Sequence, residues 1–472
     1  MDKITIFWFR QDLRLIDNPG LFEAAKNGAV LPIYILDTNS YKMGSASQWW
    51  LHHSLNMLNQ SLNNTLNVYV GNAKSIIIEI VQKNKIDAVY WNRCYEPCRI
   101  SNDSLIKTAL KNLNIECKSF NGSLLWEPWE VLKQDKTPYK VSTPFYTRGC
   151  LQSASPRCPL PKPKNLNLLK DPFNLKTIKD LDLLPKIKWD EGIKKCWNVG
   201  ENAAQLKLTK FLEDGLKDYK ENRNYPSKKN VSRLSPHLHF GEISPNQAWH
   251  AVQSQGLTQN WTKDEECFLS ELGWREFSYY LLYHFPDLPN KNFQNKFDHF
   301  SWADNNIYLK AWQTGKTGYP IVDAGMRELW QTGYMHNRIR MIVASFLVKN
   351  LLQHWHYGRD WFWDCLVDAD LANNSASWQW VAGSGVDAAP YFRIFNPLTQ
   401  GEKFDPDGNY TRFFVPELSK LPNKYLFQPW EAPENILKSS SVVLGLTYPK
   451  PIVNLKKSRD IALKAYKNLS IR

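Results

Sequence analysis

Two aspartates, two asparagines and two tryptophans crowd into DADLANNSASWQW, residues 368–380. Asp370, Asn374 and Trp378 recur every four residues, so one helical face carries a carboxylate, an amide and an indole. Such a face can floor a site for a polar heteroaromatic ligand. Asp368 and Asp370 would accept from its hydroxyls, Asn374 would meet a ring nitrogen, and Trp378 and Trp380 would divide between burial and the cavity. A second stripe, Glu271, Trp274, Arg275 and Ser278, falls at i, i+3, i+4 and i+7 of ELGWREFSYYLLYHF. Two readings fit it: a surface Glu–Arg pair worth ~0.3–0.5 kcal/mol, or a partly buried polar site against Trp274. In GYMHNRIRMIVASFLV, Asn337, Arg340 and Met341 share a face with Arg338 beside it, and the apolar tail marks a buried helix. Cations entering such a helix need carboxylates, or a ligand's phosphates and carbonyls. In VSRLSPHLHFGEIS, Ser232, Arg233 and Ser235 precede or open a helix, where either a cap or a diphosphate cradle fits.

These residues need elements to hold them. Runs rich in β-branched and aromatic residues at 3–9, 29–36, 67–70, 86–91 and 115–120 alternate with helical patterns at 47–60, 73–84 and 101–113. That alternation predicts a parallel sheet covered on both faces, an α/β domain of Rossmann-like type over residues 1–130. It has neither a G-x-G-x-x-G after its first strand nor a Walker loop, which speaks against a dinucleotide or ATP site of the usual kind. Residues 131–198, with SPRCPLPKPK and many lysines, read as a connector running over the surface. From 199 to 472 the spacing is helical, at 201–220, 264–284, 320–333 and 335–353 for example, so the second domain is all-α.

Composition narrows the class. A chain of 472 residues with a formal charge of +13 suits a polyanionic partner, most simply nucleic acid, although solubility alone can account for basic charge. The opening MDKITIFWFRQDLRL places charges where a signal peptide would be apolar, and no run nears the ~18 apolar residues of a membrane span. Eight scattered cysteines read as reduced thiols in a cytoplasmic protein, with no metal site expected. Ten of the 20 tryptophans fall between Trp261 and Trp380, enough for a large core and for a π-rich site as well.

Taken together, WFRQDLRLIDNPGL, PYKVSTPF, SRLSPHL, WREF, GKTGYPIVDAGMR, HNRIRM, DADLANN, WQW and YFRIFNPLTQGEKFD resemble the DNA photolyase/cryptochrome family, in order and nearly end to end. The resemblance implies an antenna domain, a connector and a helical domain holding a folded-back FAD. By motif, the flavin site would use Tyr219, Ser232, Arg233, Leu234, Ser235, Glu271, Arg275, Asn337, Arg340, Asp368, Asp370 and Asn374. The lesion side would use Glu271, Trp274, Asn337, Arg338, Met341 and Trp380, with Arg338, Arg393 and Lys403 on DNA phosphates. Trp378, Trp355 and Trp302 match the family's electron-carrying tryptophan chain, and Glu271 and Asn374 its catalytic polar pair.

Within the family, Met341 and Asn374 resemble the repair enzymes of class I that act on cyclobutane pyrimidine dimers. The implied partner is single- or double-stranded DNA carrying such dimers, met by a monomer in the cytoplasm at the nucleoid. A blue-light receptor without repair activity, which Glu271, Met341 and the missing polar tail argue against, and a (6-4) photolyase are the alternatives. YWNRCYEP, with Glu96, occupies the region that holds a second antenna chromophore in relatives, either methenyltetrahydrofolate or 8-hydroxydeazaflavin. Burial of Glu271 against Trp274 would favour the neutral carboxyl, a hydrogen-bond donor.

Overall fold

The computed structural model describes residues 3–40 and 42–469. Five strands, β1 (Lys3–Phe9), β2 (Gly28–Asp37), β3 (Asn67–Gly71), β4 (Ala88–Asn92) and β5 (Glu116–Phe120), form a parallel sheet in the order β3-β2-β1-β4-β5. A short β6 (Asn167–Leu168), from the connector, pairs with β2. Ile6, Trp8, Ile33, Ile35, Val89 and Trp91 pack with α3 (Ala73–Lys83) and α4 (Pro97–Asn112) into one apolar core. Burial on both faces explains why these strands read as continuous apolar runs.

Helix α1 (Pro19–Asn27) was not among the expected elements. Its signal is local: Asn18 caps Leu21 N, and Pro19 supplies a preset φ at the first position. Pro97 does the same for α4, which therefore starts four residues before the expected 101. Helix α2 covers Ser45–Ser61.

By chain contacts the molecule forms two compact units. One contains residues 1–220, 232–286 and 367–372; the other contains 221–231, 287–366 and 373–472. Helices that the periodicity places in the second domain thus pack in the sheet-bearing unit, for identifiable reasons. Buried Arg14 donates to the carbonyls of Asp17 (2.7 Å), Gly122 (2.7 Å) and Gly241 (2.9 Å). The indole of Trp50 on α2 donates to Glu242 (3.1 Å), and the carboxylate of Glu276 accepts from Leu125 N (2.9 Å) and Trp126 N (3.3 Å). A buried group must find its partner inside the fold, and these partners lie far apart in the chain.

The helical unit is organised the same way. Asp323, in GKTGYPIVDAGMR, accepts from Thr317 N and Oγ1 (both 2.7 Å), Gly318 N (3.0 Å) and Tyr448 (2.7 Å). Gln379, between the two tryptophans of WQW, is fully buried; it donates to Leu288 O and Lys291 O and accepts from Phe293 N. Asp405 accepts from Tyr410 N and Thr411 N. Several motif residues are therefore fold-holding clamps rather than chemistry. Among the described residues no helix is long and apolar enough to cross a membrane.

Candidate functional site

In the sheet-bearing unit, the SRLSP turn is built around a strained backbone: Arg233 sits at φ 52°, and its guanidinium lies 4.5 Å over the ring of Trp197. Leu234 is buried, Ser232 half-buried, and the hydroxyl of Ser235 donates to Asp368 (2.6 Å). Ser235 opens its helix as the first residue, whereas Ser244 forms a true capping box with Gln247 at the next one. Asp370 accepts from the hydroxyl of Tyr279 (2.5 Å) and lies 3.2 Å from His239 Nδ1. Burial first, and the charge of Asp370 next, hold the Tyr279 phenol well above its ordinary range. Tyr279 thus stays a proton donor to Asp370. Tyr219 packs edge-on to Phe211 and Phe268.

The Glu271–Ser278 stripe occupies the helix Thr262–His284. Arg275 donates to Ser123 O (2.8 Å), approaches Glu276 (3.3 Å) and covers the ring of Tyr279 at 4.8 Å. Burial pushes the carboxyl of Glu276 up to about 7, against the lowering by Arg275 and the two amides it accepts from. Glu271 is half-buried and Trp274 is 42% exposed. The stripe thus lies between the two readings, with Glu271 partly buried and Trp274 open, because the helix buries Leu272, Gly273 and Phe277.

In the helical unit, the helix Asn337–Ser345 begins at His336, whose side chain caps Arg338 N. Asn337 is exposed, and Arg338, Arg340 and Met341 are half-buried. Arg340 donates to Met335 O (2.7 Å). Arg338 donates to Asn224 (2.6 Å) and lies 4.4 Å over Phe404, the ring that also meets Lys403 at 5.3 Å. The fold thus gathers two of the three expected phosphate contacts on one aromatic ring. Arg393 is exposed in a separate loop, held through its carbonyl by buried Lys349 (2.9 Å).

Asn374 and the tryptophans share the same unit. Asn374 Nδ2 donates to Arg359 O (3.0 Å), which fixes its amide. Trp378 is buried and Trp380 half-buried, the division that helical spacing suggested. A Cβ at Gly358 would collide with the Trp378 ring, so the helix Trp355–Cys365 can approach only because that position is glycine. Trp355 is fully buried and donates to Asn292 (2.9 Å); Trp302 is half-buried.

A cavity of about 380 Å³ opens at the carboxyl ends of β1 and β2, lined among others by Trp8, Arg10, Tyr34, Asp37, Arg99 and Asp103. It lies where ligands bind in open parallel sheets, outside the strand ends near the switch between β1 and β4. Trp8 Nε1 and Arg10 Nε are buried there with no hydrogen-bond partner. Glu96 is not on this lining; it pairs with Arg99, which is (3.7 Å). Sequence reading missed Tyr279, His239 and the cavity's arginines. Only the four-residue step from Arg275 to Tyr279 could have flagged one of them.

Two family models match the chain: one described as DNA photolyase over residues 5–164, and one described as the FAD binding domain of DNA photolyase over residues 268–468. A deoxyribodipyrimidine photo-lyase of Agrobacterium fabrum is 48% identical over 98% of this chain and 97% of its own length. Cryptochrome-2 of Arabidopsis thaliana is 37% identical over 98% of this chain and 79% of its own. Among solved structures, a bacterial class III photolyase from Agrobacterium tumefaciens superposes with a TM-score of 0.97 at 47% identity, covering 100% of this chain and 98% of that one.

Proposed function

Because this chain belongs to the DNA photolyase family, we propose that it is a light-driven DNA-repair enzyme whose substrate is the cyclobutane pyrimidine dimer. The observation that carries the reading is the orientation of Asn374. With Nδ2 committed to Arg359 O, the amide offers Oδ1 as an acceptor, which suits a cofactor nitrogen that carries hydrogen, as in reduced flavin. The donor chemistry fits FAD too. Asp368 and Asp370 suit ribityl and ribose hydroxyls, while Ser232, Arg233, Ser235, Arg275 and Arg340 suit a diphosphate. Tyr219, Leu234, Glu271 and Asn337 complete the proposed set. When bound and fully reduced, FAD would supply the light-driven one-electron chemistry by which the two bonds between the pyrimidine rings are cleaved.

The chain's own residues do the rest. Trp274, Trp380 and Met341 offer apolar walls to an extruded dimer, and Glu271 a polar contact to its carbonyls. We read the domains as antenna over 1–130, connector over 131–198 and flavin domain over 199–472. The likeness to a class III photolyase favours that class over class I. The cavity at the strand ends is the proposed seat of a second, light-gathering chromophore, its two arginines suiting an anionic or carbonyl-rich one, whether folate or deazaflavin. Action as a monomer in the cytoplasm completes the reading.

The test is repair of oligonucleotides carrying one defined lesion. Cyclobutane dimers are expected to disappear under blue light and to persist in darkness. Loss of (6-4) products instead would favour that repair class, and no repair of either would favour a light receptor. DNA affinity is expected to fall with salt, and Arg338→Ala to lower the log–log slope by roughly one unit or less. An unchanged slope and affinity would remove Arg338 from the interface and leave Lys403 and Arg393 as the candidates.

A further inference from the structure

The imidazole of His354 lies against both outer tryptophans of the proposed electron chain. Its ring centre is 5.0 Å from that of Trp302, edge to face, and 5.8 Å from that of Trp355, nearly stacked at 25°. Its Nδ1 accepts from His356 N (3.1 Å), so His354 is also the N-cap of the helix Trp355–Cys365. An accepting Nδ1 requires the neutral ring with hydrogen on Nε2. The indole nitrogen of Trp302 is buried with no hydrogen-bond partner. Positive charge arriving on Trp302 would therefore be sensitive to any cation packed against its ring.

We propose that His354 is a positioning residue of the electron chain: its neutral imidazole bridges Trp355 and Trp302, and its protonated form closes that step. The inference rests on the reading of Trp378, Trp355 and Trp302 as the chain that re-reduces oxidised flavin. Each step moves one electron inward; Trp302 is oxidised as Trp355 is restored, and an added one-electron donor, itself oxidised, refills Trp302. A proton on His354 opposes the step twice. It places a cation beside the ring that must become positive, and it removes the acceptor that caps the helix carrying Trp355.

The surroundings set the direction. Burial lowers the His354 pKa below the ordinary 6.5, and Arg359 lowers it further, while Asp298 and Asp360 oppose them. The neighbouring His356 is pushed down to about 4, chiefly by burial, so its titration falls in a more acidic range.

The test compares three proteins in their flavin-loaded form, with a one-electron donor that does not titrate in this range, such as ferrocyanide, as reductant, from pH about 8 to about 5. His354→Asn keeps a good capping side chain and removes the ring. The parent is expected to photoreduce several-fold more slowly as pH falls below the ordinary histidine range. The Asn variant is expected to be several-fold slow throughout, with a flat profile. A histidine ring signal in nuclear magnetic resonance, absent from the Asn variant, is expected to titrate at the pH where the parent slows. Trp302→Phe tests the underlying chain. If it photoreduces like the parent, the chain reading fails and the bridge with it. If it is slow while His354→Asn matches the parent in rate and pH profile, the bridge alone is overturned.

Discussion

Lowering the pH from 6.5 towards 3 is expected to remove on the order of 4–5 kcal/mol of stability from the helical unit through one residue, His336. Its ring is buried, its Nδ1 caps Arg338 N at 3.2 Å, and it must stay neutral to accept that bond. Burial is the main cause that pushes its pKa down to about 3, followed by the cations Arg223, Arg338 and Arg340. The sign follows from proton binding. Below 6.5 the unfolded chain takes up a proton that the native state refuses until about 3, so stability is intact above 6.5 and drains as pH falls. Denaturant midpoints measured across this range would show it. His336→Asn retains a cap and lacks the titration, so its profile is expected to be flatter. Parallel losses in parent and variant would mean that carboxylates, not His336, govern the acid limb.

The second large effect concerns Glu271. When the dimer receives an electron its carbonyl oxygens become more negative, and a hydrogen-bond donor aimed at them stabilises that state before the bonds break. Glu271→Gln places an amide donor of the same shape there, whereas Glu271→Ala leaves no polar group at all. The yield of dimers split per absorbed photon is therefore expected to fall further in the Ala protein, by up to ~10²-fold, the usual effect of removing one such donor. Flavin content should be largely kept in both, because Glu271 is one member of the proposed flavin set and Asp368, Asp370 and Asn374 are untouched. Equal yields in parent, Gln and Ala proteins would reduce Glu271 to a half-buried polar residue of its helix. Because Glu271 itself is only half-buried, neither substitution opens an enclosed cavity, and thermal stability should change little.

The sheet was legible because parallel strands buried on both faces leave unbroken apolar runs, and the strand bounds shift by only a residue or two. The difference between a buried Trp378 and a half-buried Trp380 was legible because helical spacing alone separates the two. What composition and spacing could not reveal is who answers Asp370. Its partners Tyr279 and His239 lie 91 and 131 residues away, and no periodicity links them. The same applies to Gln379, which stands between two tryptophans in sequence and ties down the loop at 288–293. Motifs that carry a family likeness mark both chemistry and clamps, and only partner atoms tell the two apart. His354 was passed over for a related reason. A histidine beside Trp355 in sequence carries no signal until Trp302, from another segment, arrives at its other edge.

The piecemeal make-up of the sheet-bearing unit bears on how the chain folds as it is made. Asp368 and Asp370 reach back to Ser235, Tyr279 and His239, so residues 367–372 belong to a unit whose first strand begins at Lys3. At a synthesis rate of roughly 5–20 residues per second, the last piece follows residue 220 by about 8–30 s. Through that interval the ribosome holds a sheet with its helical buttress incomplete and apolar surface open to wrong partners. Fragments ending before residue 372 should inherit the same fault, and slow elongation over the intervening stretch should raise the demand for chaperones.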